Sequence, residues 1–147
     1  MEFRLFSVDR SLPKPVEEPA QAKNRKKSKI RTGQFATRWS VEMPVLVRAM
    51  VKAGGTIFAA GPKDIVDEES AFKAYDQPAT REALRNQTDL FAGEQGSVLC
   101  AVSADDGGKL QEIELGVQPV FDGMIAAGGE LFMATADGKV VCLASRQ

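Results

Sequence analysis

The chain repeats itself, and this constrains its fold more than any other feature. The run Ala49-Met50-Val51-Lys52-Ala53-Gly54-Gly55-Thr56-Ile57-Phe58 returns, 74 residues later, as Gly123-Met124-Ile125-Ala126-Ala127-Gly128-Gly129-Glu130-Leu131-Phe132, and Pro44-Val45 before it returns as Pro119-Val120. A second block, Gly96 to Ser103, returns 42 residues later as Gly138 to Ser145, which aligns Cys100 with Cys142. The unequal offsets place roughly 30 extra residues in the first copy, at about 63–95, where a loop between strands grows at small entropic cost. In each copy a Gly-Gly pair divides two apolar runs, and glycine supplies the positive φ of a tight hairpin turn. A unit recurring in this way buries its apolar face only against a neighbouring unit.

The local patterns fill in that unit. Val45 to Val51 and Thr56 to Gly61 predict a hairpin, Gly96 to Ser103 a third strand, and Glu112-Ile113-Glu114-Leu115 an outer strand with one wet face. Asp105-Asp106-Gly107-Gly108 between the last two predicts a hairpin turn, as does Asp137-Gly138. The expected fold is therefore all-β: a partial β-propeller of about two four-stranded antiparallel blades with a short helical insertion. Residues 1–12 predict a strand of a preceding blade, with Phe3, Leu5 and Ser7 on one side and Arg4, Phe6 and Val8 on the other. Residues 13–37 predict a basic, proline-containing linker, 38–118 a blade interrupted by the insertion, and 119–147 a final, incomplete blade. Within the insertion, residues 67–75 and 80–87 have helical composition, with Thr80 as an N-cap and Pro78 separating two short segments of one or two turns.

Composition excludes several kinds of chemistry. The chain has 147 residues and no histidine, so a Ser–His–Asp or Cys–His device cannot be assembled within it. Two cysteines offer no ligand-like spacing for zinc. Cys100 and Cys142 read as small apolar core residues on equivalent strands, too far apart for a disulfide, with a redox pair as the competing reading. Met50 and Met124 read as core filling, and Trp39 as a residue that docks between blades or covers the core edge. Asp105, Asp106 and Asp122 would hold a cation only if turns gathered them, and their Gly-rich setting favours turn roles.

Charge is uneven: residues 1–50 carry 11 Lys/Arg against 5 Asp/Glu, whereas the whole chain has net charge −1. Lys23, Arg25, Lys26, Lys27, Lys29 and Arg31 form an arm able to contact an anion. No aromatic residue is interleaved to stack bases, which weighs against nucleic acid and favours a solvated loop. No apolar run is long enough to span a bilayer, and the N-terminal segment carries no secretion-signal pattern.

The stretch Ala101-Val102-Ser103-Ala104-Asp105-Asp106-Gly107-Gly108-Lys109-Leu110 resembles the PQQ-type propeller repeat, roughly Ala-Leu-Asp-x-x-Thr-Gly-Lys-x-Leu-Trp. Gly107 falls on the family glycine and Leu110 on its leucine. Ser103 stands in place of the aspartate, Asp106 of the threonine, and Gln111 of the tryptophan that wedges between blades. The resemblance covers residues 38–147 and extends to outer-membrane-assembly-type propeller proteins of bacterial envelopes. It implies the C-terminal blades of a larger protein, a cell-envelope or periplasmic setting, and a non-enzymatic scaffold without a cofactor. Its partners would be the remaining blades or another protein. Two further expectations compete: a fragment of a quinone-dependent dehydrogenase, whose calcium and cofactor contacts match no residue here, and anion or nucleic-acid binding through residues 23–31.

Overall fold

Glycine pairs, alternating apolar residues and a helical insert arrange the described residues of this chain into three antiparallel sheets. The computed structural model describes residues 3–9, 11, 36–93 and 95–144. Strands β1 (Phe3–Val8) and β2 (Thr37–Met43) form a two-stranded sheet, with Phe3 opposite Met43 and Leu5 opposite Val41. Strands β3 (Ala49–Ala53), β4 (Thr56–Gly61), β5 (Ser97–Ser103) and β6 (Lys109–Leu115) form a central sheet in sequence order. Strands β7 (Pro119–Ala127), β8 (Glu130–Thr135) and β9 (Val140–Leu143) form a third sheet, also in sequence order. The β3–β4 and β7–β8 hairpins turn at the expected glycine pairs, and Gly54, Gly128 and Gly129 all adopt positive φ.

The central sheet is covered on both faces. On one, Ala59, Val98, Cys100 and Val102 pack against Met43 and Val45, with Phe3, Leu5 and Val41 of the two-stranded sheet closing over them. On the other, Ala49, Ala60 and Leu99 pack against Met124, Leu131 and Met133 of the third sheet. Period-two alternation explains the division, because neighbours along a strand point to opposite faces. The central β5 is therefore buried at every residue from Ser97 to Val102. The first strands of the central and third sheets lie close together, and the Asp122 N–H donates to the Arg48 carbonyl at 2.9 Å.

Several local expectations are corrected. The strand expected over residues 45–51 becomes regular only at Ala49; before it, Val45 makes an isolated bridge to Lys63 and Leu46 N–H donates to the Pro62 carbonyl. In the insertion, α1 (Glu68–Lys73) is short, but α2 (Pro78–Ala92) runs for 15 residues rather than one or two turns. Gln77, not Thr80, is the N-cap of α2. Pro78 opens that helix instead of dividing two segments, since its fixed φ and missing N–H suit the first helical position. Gly93 ends α2 with φ 97°.

Register overturns the pairing of the cysteines. Phe58 lies opposite Ala101 in the central sheet, and its counterpart Phe132 lies opposite Cys142. Cys142 is thus equivalent to Ala101, and Cys100 to Val141, one residue away from the sequence alignment. A one-residue slip changes the face. Cys100 is buried toward the two-stranded sheet, whereas Cys142 is exposed, so it is not a core residue; both thiols are free. Met50 is corrected too. It is 50% exposed, while Met124 is buried, because the two-stranded sheet covers β4 and β5 but leaves Met50 open. The expected wet face of β6 extends to both faces, since Lys109 to Glu114 are all exposed.

Candidate functional site

Three features stand apart from ordinary core packing, and the first is Trp39. It projects from β2 toward the β5–β6 turn, where its indole N–H donates to the Ala104 carbonyl at 3.1 Å. The ring lies over Gly107, which is buried and has φ 77°. A Cβ at that glycine would sit 2.7 Å from Trp39 Cε3 and 2.9 Å from Val41 Cγ1, so a side chain there would displace the ring. The turn is held from within. The Asp106 carboxylate accepts from the Gly108 N–H at 2.9 Å, and that bond, with help from Ser103, holds its pKa below the usual carboxylate value. Trp39 and Gly107 are therefore brought together across two sheets.

The second feature is the insertion, which is tied down at one end and free at the other. Gln87 is buried on α2; its amide oxygen accepts from the Ile65 and Val66 N–H groups, and its NH2 donates to the Lys63 carbonyl. Arg48 donates to the Phe91 carbonyl at 2.5 Å, and the Phe91 ring meets Phe3 edge-on with centroids 6.3 Å apart. These contacts lock the C-terminal part of α2 across the sheets. The short α1 instead faces water, capped by the Asp67 carboxylate, with Phe72 exposed at 86%. Lys63 pairs with Glu114, which raises the lysine's pKa.

The third feature is the far side of the third sheet and its edge. Ile125, Phe132 and Cys142 lie in one cross-strand row on the face away from the central sheet, and Val140 is exposed on the same face. The equivalent residues Val51 and Phe58 of the central sheet are packed against the third sheet. Among the described residues, β9 pairs only with β8, whereas its counterpart β5 has β6 on its other side. A groove of about 670 Å³ opens beside this free edge, between Phe58, Leu99 and Ile113 of the central sheet and Leu131 and Leu143 of the third. Sequence reasoning missed the groove. The one available signal was the uncharged run Val140-Val141-Cys142-Leu143.

Among the described residues, the remaining candidates are not gathered into a site. Lys23, Arg25, Lys26, Lys27, Lys29 and Arg31 lie outside the described residues. Asp105 and Asp106 belong to the β5–β6 turn and Asp122 to β7, and no group of three or more His, Cys, Asp or Glu suited to a metal occurs among the described residues. Burial raises the pKa of the Cys100 thiol; desolvation and the Glu130 carboxylate raise that of Cys142. Neither is an activated thiolate. No helix among the described residues is long and apolar enough to cross a membrane. Comparison with protein-family models, curated proteins and solved structures finds no match to this chain.

Proposed function

We propose that this chain is a non-enzymatic segment of a PQQ-like β-propeller, serving as a structural and protein-interaction scaffold within a larger assembly. The observation that carries the reading is the Trp39 dock. A tryptophan from one sheet lies over the glycine of the next sheet's β5–β6 turn, and Gly107 is the residue that falls on the family glycine. The stacking of three sheets, the first strands of the central and third lying adjacent, supports the same reading, as does the recurrence of hairpin and third strand in the last two sheets. In such a stack each sheet buries what its neighbour leaves open. The row Ile125, Phe132 and Cys142 would then be covered by a further sheet of the assembly, with the remaining blades or another protein as the partner.

Urea unfolding of the chain, followed by circular dichroism and accompanied by light scattering and binding of an apolar-surface dye, tests this. The expected result is a shallow transition or self-association, with the dye bound before unfolding begins. A monomer that unfolds in one steep transition and binds no dye has no uncovered face, and the scaffold reading falls.

A further inference from the structure

We draw no further inference here: the strongest candidate, the acidic groove between the two-stranded sheet and α1 lined by Glu42, Asp64, Asp67, Glu68 and Glu69, has Glu42 paired with Arg4, Glu69 with Lys73 and Asp67 engaged in capping α1, and nothing in the structure shows what covers it.

Discussion

Replacing Gly107 with alanine should destabilise the chain largely through Trp39, and the two effects can be separated. At φ 77° a side chain costs about 1–2 kcal/mol in backbone strain. The added Cβ would also meet Trp39 Cε3 at 2.7 Å and Val41 Cγ1 at 2.9 Å, and overpacking of this kind costs about 1–3 kcal/mol. Gly107→Ala is therefore expected to lose about 2–5 kcal/mol. Trp39→Ala removes a half-buried indole and its bond to the Ala104 carbonyl; with roughly 100 Å² of apolar surface returned to water, it should lose about 2–3 kcal/mol. In the double variant the clash with the ring is gone, and the alanine costs only its strain and the Val41 contact. The losses should thus fall short of additive by about 1–2 kcal/mol. Urea midpoints by far-ultraviolet circular dichroism, which does not depend on the single tryptophan, supply all corners of the cycle. Additivity within about 0.5 kcal/mol would mean that Trp39 and Gly107 do not meet in solution, and the dock behind the functional proposal would be lost.

The insertion, the turn and the thiols each give a further test. Gln87→Met strips acceptors from the Ile65 and Val66 N–H groups, so about 2 kcal/mol of stability should go, with faster hydrogen exchange at those amides; unchanged exchange would show that α2 is not stapled there. Asp106 has its folded pKa held below the unfolded value of 3.8, so its contribution is present above that value and fades as pH falls through the folded pKa. Asp106→Asn should leave neutral stability nearly intact and flatten acid unfolding below about pH 4, as read from urea midpoints across that range. Of the two cysteines, exposed Cys142 should react with a chromogenic disulfide in the native chain and buried Cys100 only after denaturant is added. Release of both thiols at one rate would contradict the assigned register of β5 and β9.

Much of the fold was legible in local sequence. Gly54-Gly55 and Gly128-Gly129 marked their hairpins because few other residues accept the positive φ those turns impose. The unequal repeat offsets located the insertion, and its composition announced helix. The length of α2 was not legible, because Pro78 was read as a break where it serves as a start. Of the candidate site, Trp39 and Gly107 were each singled out, yet nothing in the order of residues joined them across 68 positions. The groove beside β9 was not foreseen, since its walls come from β4, β5 and β6 on one side and β8 and β9 on the other.

The sequence by itself determined that this chain makes short antiparallel strands in repeated hairpins, where those hairpins turn, and that no imidazole chemistry resides in it. The tertiary structure alone decided which face each residue of the third strands occupies. Cys100 and Cys142 look equivalent in the alignment, but β5 is entered from a helical insertion and β9 from a tight turn, and the pairing with β4 and β8 differs by one residue. Side chains on a strand alternate with a period of two, so that single residue sends one thiol into the core and the other to solvent. Register is fixed by hydrogen bonds between distant strands, which local sequence does not encode.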